Sequence, residues 1–311
     1  MAKRIVTLTL NPAVDSSCAT DRVRPLHKVR TTNERFDPGG GGINVARVIN
    51  ELGGISFSVF LAGGRPGDVL EELVHRAGVR SHRIAISEPT RVSHVVFEES
   101  TGQEYRFTPE GPVVAEEEWR EALDFVELLD VDFVIASGSL PRGVPVDVYA
   151  RLSSELKPRG GRLVLDTSGA PLAATLEQGV FMAKPSRGEF AAMVGSDLSD
   201  PKDLEEAARE VVAKGQVEHL AITLGHDGAL LASSDGIRWL ATPEVDAKSA
   251  VGAGDSFVAG MVHGLNNGES TDRAFALGVA CGTATVLTSG TDLCHKSDVL
   301  AFWEPLCRSL S

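Results

Sequence analysis

The chain has 311 residues, of which 42% are hydrophobic and 23% charged, with 32 glycines and a formal net charge of −13. This composition predicts an α/β protein with a large core. The negative charge argues against a nucleic-acid partner, which would favour a basic patch. No apolar run reaches the roughly 18 residues of a membrane span, and the four cysteines lack zinc or C-x-x-C spacing. We therefore expect a cytoplasmic protein with reduced thiols and no membrane contact.

Short apolar strands alternate with helical patterns along most of the chain. The expected strands are 4–10, 57–62, 131–137, 162–166, 180–183, 219–223 and 228–233. The expected helices are 42–53, 67–77, 115–128, 146–158, 202–214 and 255–266. Because the strands are continuously apolar, this alternation predicts an α/β fold whose mostly parallel central sheet is covered on both faces.

Two segments interrupt this pattern. Residues 15–36 and 89–108 lack helical periodicity and contain strand-like alternation, as in Arg91-Val-Ser-His-Val-Val-Phe97. We expect them to pair as a small β-sheet that forms a lid on a single domain spanning residues 1–311. The alternative is two ordinary surface hairpins, although long insertions in α/β domains often serve a function.

The stretch Val251-Gly-Ala-Gly-Asp-Ser-Phe257 carries the clearest chemical signal. Glycines at 252 and 254 permit a tight turn that points consecutive N–H groups at one place. A helix that begins here adds its unpaired N–H groups and its dipole, so Gly252, Ala253 and Gly254 predict an anion hole. Asp255 beside it would accept the proton of a hydroxyl that attacks phosphate. The alternative interpretation is an ordinary N-cap aspartate.

Polar turns follow five of the predicted strands. Carboxyl ends of parallel strands share one edge of the sheet, and open α/β sheets bind ligands at that edge. We call these turns the rim: Asn11-Pro-Ala-Val-Asp15, Ser137-Gly-Ser-Leu-Pro-Arg-Gly143, Asp166-Thr-Ser-Gly169, Lys184-Pro-Ser-Arg-Gly-Glu189 and Thr223-Leu-Gly-His-Asp-Gly228. Taken alone, any one of them could be an ordinary turn without a functional role.

A glycine-rich loop, Pro38-Gly-Gly-Gly-Gly-Ile-Asn-Val-Ala-Arg47, opens a predicted helix. It allows close approach of a ligand, and Asn44 can hydrogen-bond hydroxyls. It is not a complete dinucleotide fingerprint, and the chain contains no Gly-Lys dipeptide and hence no P-loop. The histidines show no metal spacing. Basic residues of the lid segments, Lys28, Arg30, Arg91 and Arg106, suit a phosphate-bearing substrate or a solvated surface.

These motifs, in this order, resemble those of the ribokinase-like (PfkB) sugar kinases over nearly the whole chain. The resemblance implies a three-layer α/β/α fold. It is strongest to the branch that phosphorylates fructose 6-phosphate, because Gly41 stands where 1-phosphofructokinases and tagatose-6-phosphate kinases usually carry lysine. The resemblance implies ATP as co-substrate, Mg²⁺ as metal, K⁺ near the anion hole, and a homodimer formed through the lids.

The resemblance also implies roles for individual residues. Asp255 would be the general base, and Gly252, Ala253 and Gly254 the anion hole for the γ-phosphate. The sugar phosphate would be held by Asp15, Gly40, Asn44, Arg91 and Ser139, with Lys28 and Arg30 from a neighbouring subunit. The nucleotide would be held by Lys184, Ser186, Thr223, Gly225, Gly228 and Gly282. Glu189 would order Mg²⁺ through water.

Two residues depart from the family pattern. Ser186 replaces the usual asparagine of N-x-x-E, and Ala250 replaces a usual threonine before the glycines. These departures leave open a non-catalytic sensor of sugar phosphate or nucleotide, although the retained Asp255 and glycines favour an active kinase. A 1-phosphofructokinase or a tagatose-6-phosphate kinase is the nearer alternative.

Overall fold

The computed structural model describes residues 4–310. The strands run β1 Ile5–Thr9, β2 Ala13–Thr20, β3 Thr32–Gly39, β4 Ser56–Ala62, β5 Arg80–Ala85, β6 Arg91–Glu98, β7 Gln103–Phe107, β8 Phe133–Ser137, β9 Arg162–Asp166, β10 Val180–Ala183, β11 Val217–Thr223, β12 Ala229–Ser233 and β13 Gly236–Leu240. The helices run α1 Gly41–Glu51, α2 Gly64–Arg76, α3 Glu116–Leu128, α4 Val148–Leu156, α5 Gly169–Leu176, α6 Arg187–Val194, α7 Pro201–Ala213, α8 Ala253–Asn266, α9 Thr271–Thr285 and α10 Lys296–Ser309.

Nine strands form the main sheet in the order β13-β12-β11-β10-β9-β8-β1-β4-β5. The seven strands from β11 to β5 are parallel, and β12 and β13 add an antiparallel edge. Residues of α3 to α7 pack on one face, and residues of α1, α8, α9 and α10 pack on the other. The prediction of a mostly parallel sheet covered on both faces is confirmed.

The other four strands form a small sheet in the order β3-β2-β6-β7, which we call the lid sheet. Its middle pair, β2 and β6, is parallel and joins the two segments that the sequence set apart, with Ala13 opposite Arg91 and Thr20 opposite Glu98. The two segments therefore share one sheet rather than forming separate hairpins. That this sheet closes over a ligand stays a prediction.

The seven predicted strands and six predicted helices are all present, with ends displaced by a few residues. Among the helices of residues 4–310, none combines the length and apolarity needed to cross a bilayer.

Candidate active site

The five polar turns of the rim lie side by side. They follow β1, β8, β9, β10 and β11, which are consecutive parallel neighbours in the main sheet. Because parallel strands carry their carboxyl ends to one edge, these turns lie together along one edge of the sheet. The prediction that these five turns share one edge of the sheet is confirmed. We take this edge as the candidate site.

Helix α8 begins at this edge. Its N-cap is Gly252, which has φ 75°, a left-handed conformation that favours glycine. The Ala253 N–H donates a long 3.4 Å bond to the Ala250 carbonyl, and the Ser256 N–H donates a 2.8 Å bond to the Gly252 carbonyl. Between them, the N–H groups of residues 254 and 255 have no acceptor within residues 4–310. These free donors and the helix dipole suit an anion.

Asp255 does not cap the helix, because it lies within its first turn. Its carboxylate accepts a 3.0 Å hydrogen bond from Asn44 Nδ2 and a 3.4 Å bond from Ser137 Oγ. Burial and the nearby Asp166 carboxylate raise the pKa of Asp255 to about 6, against the lowering effects of Asn44 and Lys184. A carboxylate so placed is ionised at neutral pH and has a higher proton affinity than a solvated one.

A buried ion pair adjoins the helix start. Lys184 Nζ lies 3.1 Å from Asp166 Oδ1, and the lysine side chain is only 6% exposed. Burial lowers the pKa of Lys184, but the Asp166 carboxylate and further acidic neighbours outweigh it and raise the pKa above its ordinary value. A Cβ added to Gly254 would lie 3.1 Å from the same ammonium. A fixed positive charge thus sits beside the free N–H groups of α8.

The glycine-rich loop forms the opposite wall of the site. Gly40, with φ 118°, is the N-cap of α1 and packs against Thr9 and Pro12, so that a Cβ here would lie 2.8 Å from Thr9 Cγ2. A Cβ on Gly41 would overlap the Ser137 hydroxyl and lie 2.9 Å from Asp255 Oδ1. The backbone of this loop therefore lies close to the Asp255 carboxylate. Close approach of a ligand, which the four consecutive glycines predicted, stays a prediction.

Asp15 and Arg91 meet at the junction of the main sheet and the lid sheet. Burial raises the pKa of Asp15 to about 6, while the Arg91 guanidinium opposes that rise. Arg91 donates to the backbone carbonyls of Asn11 at 2.7 Å and Pro109 at 2.8 Å. Asn11 Nδ2 in turn donates to Ser139 Oγ at 3.1 Å. Three predicted sugar-phosphate residues, Asp15, Arg91 and Ser139, are thus collected at one end of the rim.

The remaining basic residues of the lid lie elsewhere. Lys28 and Arg30 occupy the exposed connection between β2 and β3, where they line a separate cavity of about 360 Å³ that includes no residue of the rim. Arg106 forms an ion pair with Glu104 at 2.5 Å. Within one chain, none of these three has a hydrogen bond or ion pair to a rim residue among residues 4–310.

Ser186 and Glu189 contact each other at the start of α6. The Glu189 carboxylate accepts a 2.7 Å bond from the Ser186 N–H, and Ser186 Oγ accepts a 3.3 Å bond from the Glu189 N–H. This reciprocal capping box explains why serine is tolerated where the family has asparagine. Thr223 lies opposite Ser186 and donates its N–H to the Pro185 carbonyl at 3.0 Å. Two predicted nucleotide residues are therefore neighbours.

Three glycines predicted to bind nucleotide have different surroundings. A Cβ on Gly225 would meet no atom within 4 Å, so its backbone faces open space. A Cβ on Gly228 would overlap the Leu240 carbonyl, and one on Gly282 would lie 3.3 Å from the Ala253 carbonyl. The close packing of Gly228 on β13 therefore requires glycine at that position, whereas a side chain at 282 would only crowd the α8–α9 contact. Nucleotide contact by any of them stays a prediction.

Within residues 4–310, no three acidic, histidine or cysteine side chains gather into a metal site. Glu189 keeps its second oxygen free of the Ser186 N–H, and its charge acts on both Asp166 and Lys184. The Glu189 and Asp166 carboxylates are therefore two neighbouring hard oxygen donors. Mg²⁺ in kinases is held by one or two carboxylates together with water and substrate phosphates. The residues present fit such an ion.

Sequence reasoning assigned no role to Ser137 or Asp166, although both belong to rim turns. Ser137 Oγ lies between two carboxylates, 3.4 Å from Asp255 Oδ1 and 3.5 Å from Asp166 Oδ2. Their positions at the ends of β8 and β9 were the available signal. What the sequence could not supply was the register that brings these strand ends to α8.

The profile of the pfkB family carbohydrate kinases matches residues 8–298. The chain therefore belongs to this family of kinases, which the order of its motifs predicted, and its fold is that of the ribokinases. Among its relatives is the ATP-dependent 6-phosphofructokinase isozyme 2 of Mycobacterium tuberculosis, 42% identical over 97% of this chain and 89% of that protein. The isozyme 2 of Escherichia coli K12 is 37% identical over 98% and 99% of the two chains.

A crystal structure of phosphofructokinase-2 from Escherichia coli in complex with fructose 6-phosphate superimposes with a TM-score of 0.93. It is 36% identical in sequence and covers 98% of this chain and 99% of its own. Several 1-phosphofructokinases are also related, at 29–32% identity. The family is thus established, and the nearer relatives carry the 6-phosphofructokinase name.

Proposed function

We propose that this protein transfers the γ-phosphate of ATP to the 1-hydroxyl of fructose 6-phosphate, giving fructose 1,6-bisphosphate and ADP. The observation that carries the proposal is the placement of the buried Asp255 carboxylate beside unpaired N–H groups of α8 and the Lys184 ammonium. The relatives named for this reaction support the choice of substrate.

The reaction needs a proton acceptor and a centre of positive potential. As the sugar oxygen attacks, its proton passes to the Asp255 carboxylate, the new O–P bond forms, and the bond to the ADP oxygen breaks. Negative charge on the transferring group is met by the N–H groups at the start of α8 and by the Lys184 ammonium. Bound Mg²⁺ would neutralise charge on the nucleotide phosphates, with Glu189 holding it through water.

The other end of the rim would hold the sugar phosphate. Asp15, Asn44 and the Gly40 backbone would bind hydroxyls. Arg91 carries five N–H donors, and three of its bonds go to backbone carbonyls, so each terminal nitrogen keeps one N–H for the 6-phosphate. Ser139 would supply a hydroxyl to the same group. Burial of the substrates between the main sheet and the lid sheet would exclude water from the reacting atoms.

Lys28 and Arg30 would complete the phosphate site from a second copy of the chain. Within one chain they line a cavity apart from the rim, so a homodimer formed through the lid sheets is the arrangement that would bring them to a neighbour's site. A K⁺ ion near the anion hole belongs to the same proposal. A structure of the Escherichia coli relative is described with potassium.

The substrate assignment is tested by measuring ADP release from MgATP with fructose 6-phosphate, fructose 1-phosphate and tagatose 6-phosphate in parallel, with Asp255→Ala as control. Turnover with fructose 6-phosphate that vanishes in the variant supports the proposal. Turnover restricted to fructose 1-phosphate would keep the mechanism and overturn the substrate, in favour of the 1-phosphofructokinase relatives. No ADP release with any of the three sugar phosphates would favour a non-catalytic sensor.

A further inference from the structure

A second cavity lies behind the glycine-rich loop, where β3 leaves the lid sheet and meets α1 and α2. Its volume is about 560 Å³. Three arginines line it, one from each of these elements: Arg35 of β3, Arg47 of α1 and Arg76 of α2. Leu73 contributes an apolar wall. The cavity includes no residue of the rim.

The acidic groups near this cavity are already engaged. Asp37 lies 2.7 Å from Arg35 Nε and accepts a 2.6 Å hydrogen bond from Thr291 Oγ1. Asp292 lies 3.4 Å from Arg35 Nη2. One arginine is therefore neutralised by two carboxylates.

The other two arginines lack such partners. Arg47 donates to a carbonyl and an amide oxygen, but no carboxylate of residues 4–310 lies within 4.0 Å of it. Burial lowers the pKa of Arg47, against the opposing effect of Asp37. Arg76 forms no hydrogen bond or ion pair with any residue between 4 and 310. Arg47 is balanced at longer range by Asp37, Asp292 and Asp15, and Arg76 is exposed to solvent. Both guanidiniums nevertheless keep N–H groups that no residue between 4 and 310 accepts, so they are free to bind an anion in this cavity.

From this geometry we propose that the cavity binds a small phosphate-bearing metabolite, held by Arg47 of α1 and Arg76 of α2. Guanidinium groups match phosphate oxygens in both charge and geometry. A phosphate has oxygens enough to meet an arginine from each of two helices. The ligand would be an effector rather than a substrate, because the cavity holds no proton acceptor beside an anion hole.

A direct hydrogen-bond path joins this cavity to the catalytic carboxylate. Arg47 Nη1 donates to Asn44 Oδ1 at 3.2 Å and to the Pro38 carbonyl at 3.4 Å. Asn44 Nδ2 donates to Asp255 Oδ2 at 3.0 Å. A phosphate that draws on the Arg47 guanidinium would therefore change how Asn44 is held. Occupancy of the cavity would then alter binding of the sugar, a consequence that rests on the proposed function.

The test compares Arg76→Gln with Arg65→Gln. Both arginines lie on α2, but Arg65 is 97% exposed in its side chain and lies outside the cavity. Thermal unfolding of each protein is followed against inorganic phosphate, and against glycerol phosphate as an ester probe, with chloride at matched ionic strength. We expect a saturable rise in Tm for the wild type and Arg65→Gln, and an apparent affinity about tenfold weaker for Arg76→Gln.

Phosphate that binds at the rim raises the Tm of the wild type and of both variants alike. The difference in apparent affinity between Arg65→Gln and Arg76→Gln therefore reports on the cavity. Tighter binding of the ester than of inorganic phosphate would support the site and show that the Leu73 wall is used; equal binding would support a site for the phosphate group alone. Identical titrations for both variants, or a rise that chloride reproduces, would overturn the proposal. This measurement needs no turnover, so its failure is distinguishable from failure of the proposed reaction.

Discussion

Asp255 is surrounded by groups that act on its charge in opposite directions. Burial and Asp166 disfavour the carboxylate, whereas Asn44 and Lys184 favour it, and the result is a pKa raised to about 6. A value just below neutral pH leaves the group ionised and yet able to take a proton as the sugar oxygen attacks. The glycine-rich motif predicted Asp255 as the base. The groups around Asp255 account for its raised pKa.

The raised pKa of Asp255 predicts the acid limb of the pH profile. Protonation below about pH 6 removes the base, so kcat/KM should fall about tenfold per pH unit there. Since Ser137 Oγ lowers this pKa by its hydrogen bond, Ser137→Ala should move the limb to higher pH. The sugar phosphate itself titrates nearby, but its titration cannot depend on Ser137. An unmoved limb in the variant would contradict the assignment.

The same pKa predicts that ionised Asp255 destabilises the fold. Its folded pKa lies above the unfolded value of 3.8, so the folded chain holds the proton more tightly and the cost appears as pH rises. This cost is absent below about pH 3.8 and fully present above about pH 6. The difference between the two pKa values corresponds to about 3 kcal/mol. Asp255→Asn should therefore raise the free energy of unfolding at pH 7.5 by up to about 3 kcal/mol.

Denaturant unfolding at pH 7.5 and pH 4 measures this difference. The gain in the asparagine variant should shrink at the lower pH, because the wild-type carboxylate is then protonated. An equal gain at both pH values would point to packing instead of charge.

At the scale of elements, the α8 start and the α1 start face each other across the site. Gly41 allows this approach, because a Cβ there would overlap Ser137 Oγ and crowd Asp255. The sequence could predict both helices, because each begins with glycines and continues as an apolar run. It could not predict that the two starts meet, since β3 and the lid sheet separate α1 from β1 along the chain.

Gly41→Ala should lower kcat by at least about tenfold, because Ser137 must rotate away from the base. The matched control is Gly188→Ala in α6, where a Cβ meets nothing within 4 Å and helix propensity favours alanine. Steady-state rates of both variants, with thermal unfolding to confirm folding, make the comparison. Equal activity of the two variants would show that the α1 start does not shape the site.

Two of the elements that the sequence analysis did not predict, β5 and α9, lack a simple buried face. Strand β5 reads Arg80-Ser-His-Arg-Ile-Ala85 and lies at the edge of the sheet, where only Ile84 is buried. Helix α9 is buried along most of its length between α8 and α10, so it lacks an apolar stripe. Patterns of hydrophobicity report one buried face, and neither element has a simple one. The rim was predictable because parallel strands must share an edge.

At the scale of the whole molecule, the lid sheet presents exposed aromatic side chains. Phe36 is 54% exposed, Phe97 40% and Phe107 57%, and all three lie on lid strands. The lid also contacts the body, since Ser249 Oγ lies 3.3 Å from Glu104 Oε2 of β7 and can donate to it.

Phe36 and Phe107 lie in one cross-strand row with Ser16 and His94, whereas Phe97 lies on the other face. The exposed pair gives one face of the lid an apolar patch that suits pairing with a second lid.

Phe107→Glu should weaken dimerisation at least about tenfold, because a charge would be buried in the lid interface. The control is Leu128→Glu, at a position 82% exposed on α3 outside the lid. Light scattering over a dilution series measures both. If Phe107→Glu keeps the wild-type assembly, the lid is not the interface, and Lys28 and Arg30 would have no route to a neighbouring site.

The central claim is that Asp255 takes the proton from the sugar hydroxyl. The most direct measurement is the kcat of Asp255→Asn with MgATP and fructose 6-phosphate, set beside the Kd of the sugar phosphate for the same variant. We predict a loss of kcat of about 10³-fold or more, since general bases contribute about 10²–10⁴, with Kd changed only a few-fold. Near-wild-type turnover in the asparagine variant, or an equal loss in binding and rate, would contradict the account.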